Sequence, residues 1–167
     1  MPLSSTQIGT IGENLLINAV MKASDGRLSP FSPVADDDGL DVLFFDKQTG
    51  NSIALQLKCR TVTIRKRKSK ERGNIVHFEA RKATFNVTRR AFLVAALVND
   101  ELTRFRCTWF IPMADVPRLA GGGAKKYVLR PSIAEKSKDK YSKFRCKDVG
   151  LLVEKIIAEC HRNRELV

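Results

Sequence analysis

An acidic stretch and a polar strand-like segment stand close together in the first third of the chain. The sequence DDDGLD covers Asp36 to Asp41, and the segment IALQLKCR carries Gln56 fifteen residues after Asp41, followed by Lys58. Carboxylate and amide oxygens suit a hard cation such as Mg²⁺, which also retains waters and contacts substrate phosphates. Such a metal polarises a phosphoryl group and lowers the pKa of a bound water, while a nearby lysine stabilises developing charge. These residue types therefore suit metal-assisted hydrolysis of phosphodiesters.

The direction of side chains along a strand predicts which of these groups meet. Alternate residues share a face, so Gln56 and Lys58 are expected to project together, with Leu57 on the other side. The polar segment DKQTGNS predicts a hairpin turn near Thr49, which places Asp41 nearly opposite residue 57. A lysine in a central strand also requires a compensating carboxylate nearby. We therefore expect these polar groups to converge at one end of the hairpin.

Each of these residues also has a simpler interpretation. Asp41 could begin a strand without a chemical role, and the two polar strand residues could occupy the exposed face of an antiparallel sheet. Asp36 and Asp38 are interpreted as solvated turn residues. Asp37 is given a supporting role at the site or a role in capping the turn, with neither favoured.

Apolar periodicity predicts helices at both ends of the chain and strands between them. The first helix covers 4–23, capped by Ser4 or Ser5, with Gly9 and Gly12 permitting close packing; the second covers 148–161. The continuous apolar run FLVAALV predicts a strand that is buried on both faces. This order predicts an α/β or α+β fold around one mixed sheet. Strands are predicted over 28–34, 40–45, 53–60, 75–78, 92–98, 104–113 and 127–129.

Composition indicates a basic globular protein. The chain of 167 residues, 43% of them hydrophobic, fits a single domain over 1–167, with a core over about 4–115 and an extension containing a helix over about 124–167. The net charge of +12 favours a nucleic-acid partner, with an anionic membrane surface as second choice. No apolar run is long enough to span a membrane, and no secretory signal pattern is found, so we expect a cytoplasmic protein. The four cysteines lack paired spacing and are expected to be buried free thiols rather than a zinc site or a disulfide framework.

The basic charge is concentrated in RKRKSKER, residues 65–72, which contains six basic residues and one acid. The segment lacks apolar periodicity, so we expect a solvated loop or a strand extension. In a nuclease it would contact phosphates, which positions a protein without reading sequence; a merely solvated charge run is the alternative. The candidate nucleic-acid-binding residues are Arg65, Lys66, Arg67, Lys68, Lys70 and Arg72, with Arg81, Lys82, Arg89 and Arg90 extending the same surface.

The order of these elements resembles the PD-(D/E)XK nuclease superfamily in its QxK variant. The resemblance is carried by Glu13 on the first helix, by Asp41 at the start of a strand and by the segment Gln56-Leu57-Lys58. Residues 37–41, DDGLD, also resemble the DxGxD element of a bacterial branch with Mrr-like and Holliday-junction-resolvase-like members. The resemblance covers roughly residues 4–60. It implies a restriction-endonuclease-like αβββαβ core, a central mixed sheet flanked by helices, a divalent metal and cleavage of DNA.

The same resemblance implies a role for each matched residue. Asp41 and Gln56 would bind Mg²⁺ or Mn²⁺ with the backbone carbonyl of Leu57, and Glu13 and Asp37 are additional candidate ligands. Lys58 would be the catalytic lysine, and Glu13 the helix acid. A neutral glutamine supplies less negative charge than a carboxylate, so we expect weaker metal binding than at an ExK site.

The expected function is therefore a metal-dependent DNA endonuclease. Related small enzymes act as dimers in which each protomer cuts one strand, so a homodimer is expected. Two alternatives stay open: a nucleic-acid-binding module that keeps the nuclease fold without turnover, and a basic scaffold in which the acidic turn is only a turn.

Overall fold

The structure is a computed structural model that describes residues 2–35, 39–88 and 90–162. Its helices are α1 (Ser5–Ala23), α2 (Val116–Leu119) and α3 (Val149–Arg162). Short 3₁₀ turns lie at Lys82–Thr84, Met113–Asp115 and Ser142–Phe144. The strands are β1 (Leu28–Phe31), β2 (Val42–Asp46), β3 (Ser52–Arg60), β4 (Phe78–Arg81), β5 (Ala91–Val98), β6 (Phe105–Pro112), β7 (Lys126–Leu129) and β8 (Arg145–Cys146). Within the described residues, no helix is both long and apolar enough to cross a membrane.

Six strands form a central mixed sheet in the order β1-β2-β3-β5-β6-β8, and β4 with β7 forms a separate ribbon. Strand β3 lies inside the sheet, antiparallel to β2 with Val42 opposite Leu55, and parallel to β5 with Gln56 opposite Leu93. Every residue of β5 is buried, as its continuous apolar run predicts, and β6 pairs with it as an antiparallel neighbour. The mixed α/β architecture confirms the predicted fold class.

The two faces of the sheet are covered differently. On one face, Leu55, Leu57 and Cys59 of β3 pack with buried residues of α1 and α3. On the other face, Leu93 of β5 packs beneath the β4–β7 ribbon, in a second core that includes Phe78. Both long helices therefore lie on one side, and the β4–β7 ribbon covers part of the side to which Gln56 belongs.

The connection between β3 and β5 differs from the αβββαβ order. Its described residues form an exposed basic loop, strand β4 and the 3₁₀ turn Lys82–Thr84, with no α-helix among them. The basic run offers no apolar stripe that a helix could bury against the sheet. The strand predicted over 75–78 begins instead at Phe78, while Ile75 makes an isolated bridge with Ser132.

Local hydrogen bonds fix the start of helix α1 and the turn between β2 and β3. Ser4 caps α1 and forms a reciprocal capping box with Gln7, as the serine at this position predicts. At the β2–β3 turn, the buried carboxylate of Asp46 accepts two hydrogen bonds from Arg27, at 2.7 and 2.8 Å, and others from Gln48 N–H and the Thr49 hydroxyl. The Arg27 guanidinium holds the pKa of this carboxyl well below its usual range. The turn that joins the two site-bearing strands is thereby fixed.

Helix α1 lies unusually close to β3 because Gly12 faces the sheet. A Cβ placed on Gly12 would lie 2.3 Å from the Sγ of Cys59, whereas one placed on Gly9 would have no neighbour within 4 Å. Of the two glycines predicted to permit close packing, only Gly12 does so. All four cysteines are buried free thiols, as predicted.

Gly12→Ala is expected to destabilise the fold, although alanine favours a helix by about 1 kcal/mol. The added methyl group collides with Cys59 Sγ, and overpacking of this kind costs roughly 1–3 kcal/mol. Chemical denaturation of the single and double variants measures the effect, with Gly9→Ala as the matched control that should be neutral or stabilising. The cost of Gly12→Ala should shrink by about 1 kcal/mol in a Cys59→Ala background. Equal costs in both backgrounds would contradict this packing contact.

Candidate active site

A cleft of about 620 Å³ opens beside the C-terminal half of β3. It brings together residues from the first turn of α1, the start of β2, strand β3 and the β4–β7 ribbon. Its lining includes Ser5, Thr6, Gly39, Asp41, Gln56, Leu57, Lys58, Cys59, Arg60, Glu79, Arg81, Thr84 and Lys126.

Asp41 lies just before β2, against the backbone of β3. Its N–H donates to the Leu55 carbonyl at 2.9 Å, and its carboxylate accepts a hydrogen bond from the Leu57 N–H. The hairpin turn predicted near Thr49 placed Asp41 nearly opposite residue 57. In the structure, Asp41 lies opposite Gln56 instead. The difference is one residue, because the observed register pairs Val42 with Leu55.

Gln56 is a buried amide with an unusual environment. Gln56 is only 3% exposed, and its Oε1 atom has no hydrogen-bond partner among the described residues. Gly39 closes over it with φ +67°, and a Cβ there would lie 3.0 Å from Gln56 Nε2 and 3.0 Å from the Thr84 carbonyl oxygen. Only glycine combines this left-handed backbone with so close an approach. A buried oxygen left unsatisfied costs roughly 1–3 kcal/mol, so the site is suited to a ligand that binds Oε1.

Lys58 follows on the same face of β3. Its parallel partner is Ala95, and that of Gln56 is Leu93; both belong to the core beneath the β4–β7 ribbon. Lys58 is partly exposed and lines the cleft. The structure therefore brings Asp41, Gln56 and Lys58 to one cleft.

Glu13 is placed differently from these three residues. It lies on α1, next to Gly12, and is absent from the cleft lining described above. The pKa of the Cys59 thiol is raised to about 12, by burial first and then by the negative charges of Glu13 and Asp41. Glu13 therefore lies close enough to Cys59, itself a lining residue of the cleft, to influence that thiol. Asp36, Asp37 and Asp38 lie outside the described residues.

The donor set at this cleft fits a weakly held divalent metal. It consists of the Asp41 carboxylate, the Gln56 amide oxygen and the Leu57 backbone carbonyl. Within 2–35, 39–88 and 90–162, no group of three or more His, Cys, Asp or Glu side chains is arranged to hold a metal. Mg²⁺ is commonly held by one or two carboxylates with waters and substrate phosphates, and the unpartnered Oε1 fits such a ligand.

The cleft also contains residues whose roles the sequence did not indicate. Glu79 of β4 accepts a hydrogen bond from Lys126 of β7 and lies 3.1 Å from the His77 ring nitrogen. The ammonium of Lys126, with a smaller effect of His77, lowers the pKa of the Glu79 carboxyl to about 2. Glu79 and Lys126 are 47 positions apart in sequence and meet only because β4 pairs with β7, so no local pattern could reveal their proximity.

The basic segment 65–72 forms an exposed loop, as predicted. Arg65 and Arg72 form an isolated bridge at its base. The Lys66 ammonium pairs with Glu71 at 2.8 Å, and the Arg72 guanidinium donates to the Thr63 carbonyl at 2.8 Å. None of the six basic residues is part of the cleft lining, so any contact they make with a nucleic acid lies beside the cleft.

The fold that holds this cleft is a nuclease-like mixed α/β fold. Over 95% of this chain and 98% of the other, it is similar to the solved structure of a bacterial homing endonuclease, I-Ssp6803I, with a TM-score of 0.57 and 18% sequence identity. At this identity the similarity concerns the arrangement of the elements. No protein-family model matches the chain, and neither does any of the curated proteins searched.

Gln56→Met is expected to raise the free energy of unfolding by about 1 kcal/mol without added metal. The substitution keeps the length of the side chain and removes the buried, unpartnered oxygen. Thermal melts test this, with Gln48→Met in the exposed β2–β3 turn as the control. Added Mn²⁺ should stabilise the wild type and stabilise Gln56→Met less. A destabilised Gln56→Met variant with an undiminished response to Mn²⁺ would contradict the assigned environment of Gln56.

Proposed function

We propose that this protein is a metal-dependent DNA endonuclease that hydrolyses phosphodiester bonds in the cleft beside β3. The observation that carries the proposal is the meeting of Asp41, Gln56 and Lys58 in one cleft, with the buried Gln56 oxygen unpartnered among the described residues. The nuclease-like fold and the net charge of +12 support it. The reaction class is hydrolysis, and the substrate is an anionic polymer that a basic surface attracts.

Under this proposal, Asp41 and Gln56 would hold Mg²⁺ or Mn²⁺ together with the Leu57 carbonyl. Asp37 and Glu13 remain candidates for further ligands, and Glu13 could also act through water. When bound, the metal supplies Lewis acidity toward the phosphoryl oxygen and toward a water. The hydrogen bond from Leu57 N–H to the Asp41 carboxylate orients this ligand before substrate arrives.

Lys58 supplies a fixed positive charge at the same cleft. Its ammonium would hydrogen-bond a non-bridging oxygen of the scissile phosphate and stabilise the charge that accumulates there in the transition state. Its position on β3, two residues beyond Gln56, gives it a rigid support. Because the residues that would hold the metal line the same cleft as Lys58, the metal and the lysine would act on one phosphate, and loss of either would impair hydrolysis.

DNA as a partner follows from the surface around the cleft. The exposed basic loop 65–72 would contact backbone phosphates beside the cleft and add affinity without sequence selectivity. One cleft would cleave one DNA strand, so cleavage of both strands of a duplex would require two copies of the chain. We therefore propose that the endonuclease acts as a homodimer.

Asp41→Asn and Lys58→Met are each expected to reduce DNA cleavage at least about 100-fold, the loss typical when one charge-stabilising group is removed. Both substitutions preserve size, so DNA binding should persist. The test incubates the purified full chain with duplex, single-stranded and branched DNA in Mg²⁺ or Mn²⁺ and follows the products on gels. Asp100→Asn and Lys22→Met are matched controls at exposed positions away from the cleft and should cleave like the wild type.

Two results would contradict the proposal. Variants that cleave as fast as the wild type would exclude the assigned site. A wild type that binds DNA and cuts none of the three substrates would favour the alternative, a nucleic-acid-binding module that lacks turnover.

A further inference from the structure

The β4–β7 ribbon places two cations directly opposite each other at the rim of the cleft. Arg81 of β4 pairs with Lys126 of β7 in the antiparallel register, and both side chains are exposed and line the cleft. Directly opposite residues have Cβ atoms about 5 Å apart, and like charges at that position destabilise a ribbon. The arrangement therefore costs stability unless an anion lies between the two cations.

In the absence of DNA, the carboxylate of Glu79 supplies part of that negative charge. Glu79 lies two residue pairs further along the ribbon, opposite Val128, and its carboxylate binds the Lys126 ammonium from this diagonal position. The other oxygen of Glu79 faces His77 at 3.1 Å. Both carboxylate oxygens of Glu79 are therefore engaged, one with Lys126 and the other with His77. These contacts lower the pKa of the Glu79 carboxyl to about 2.

Strand β3 adds further positive charge to the cleft. Lys58 and Arg60 both line it, and the Arg60 guanidinium donates to the His77 carbonyl at 3.1 Å, which links the end of β3 to the ribbon. The cations of the cleft therefore come from two elements: β3 contributes Lys58 and Arg60, and the ribbon contributes Arg81 and Lys126. The ribbon pair thus belongs to a different element from Lys58, the residue assigned to the scissile phosphate.

We propose that Arg81 and Lys126 bind a second backbone phosphate of the same DNA strand, and that Glu79 occupies Lys126 until DNA replaces it. The inference rests on the proposed function, since it takes the DNA of that cleft as its ligand. The planar guanidinium of Arg81 matches phosphate geometry, and the Lys126 ammonium adds a point charge beside it. Glu79 thereby weakens unspecific attraction of other anions to the cleft.

Binding measured without metal tests this pair separately from catalysis. The full chain is titrated with a fluorescently labelled DNA duplex of mixed sequence in EDTA, over a series of salt concentrations. Arg81→Ala and Lys126→Ala should each weaken binding. Each should also reduce the magnitude of the negative slope of log affinity against log salt by about 0.9, the value for one phosphate contact. The control Arg162→Ala, at an exposed α3 position that also carries an ion pair, should leave the slope unchanged.

Charge-retaining variants keep the test valid if an alanine variant fails to fold. Arg81→Lys and Lys126→Arg should retain the wild-type slope. Arg81→Gln and Lys126→Gln should lower it as the alanine variants do. Slopes equal to that of the wild type in all four neutral variants would overturn the phosphate-binding role.

A double-mutant cycle tests the role of Glu79. Glu79→Gln should tighten DNA binding in the wild-type background, because Lys126 no longer has to leave a carboxylate. In the Lys126→Ala background, the tightening should be at least about threefold smaller, since only the general loss of a negative charge remains. Equal tightening in both backgrounds would overturn the proposed exchange of Glu79 for phosphate.

The outcomes separate this inference from the proposed function. Unchanged slopes with cleavage lost in Lys58→Met would overturn the second phosphate site alone. Lowered slopes with undiminished cleavage in Asp41→Asn and Lys58→Met would support the phosphate pair and overturn the assigned catalytic residues.

Discussion

The candidate site depends on the contact between the Asp41 carboxylate and the backbone of β3. By accepting a hydrogen bond from Leu57 N–H, Asp41 ties the start of β2 to the point where Gln56 and Lys58 emerge. A slip of one residue in this register would turn the polar pair toward the helix-covered core, because side chains alternate along a strand. The fixed β2–β3 turn at Asp46 and the central position of β3 make that register the stable one.

The two carboxylates among the described lining residues of the cleft have different surroundings, and the proposed function gives them different roles. Asp41 is held by backbone groups beside a buried amide whose oxygen has no partner within the described residues, an arrangement suited to a cation. Glu79 is held by Lys126 and His77, so its charge is already balanced within the ribbon. An acidic stretch in a basic chain is thus compatible with a cation site within a surface that attracts phosphate.

The sequence predicts the parts of the site that depend on local pattern. Residue alternation predicts that Gln56 and Lys58 share a face, and the polar turn near Thr49 predicts the neighbourhood of Asp41 to within one residue. The β4–β7 ribbon could not be predicted from local pattern, because its two strands are short and far apart in the chain. Glu79 and Lys126, for example, are 47 positions apart in sequence. Helix α2 and strand β8 span too few residues to show a period. Glu13 was expected at the site from the resemblance, and its role there stays a prediction; it lies on α1 next to Gly12, whose close contact with Cys59 brings the helix against β3.

The metal site proposed at Asp41 and Gln56 can be measured by Mn²⁺ binding to the full chain, followed by electron paramagnetic resonance. The wild type is compared with Asp41→Asn, Gln56→Met and the surface control Asp100→Asn. A single weak site is expected, whose affinity falls at least about tenfold in the first two variants, about 1.4 kcal/mol each, and is unchanged in the control. Equal Mn²⁺ affinity in the wild type and Asp41→Asn would contradict a metal site at the meeting point of β2 and β3.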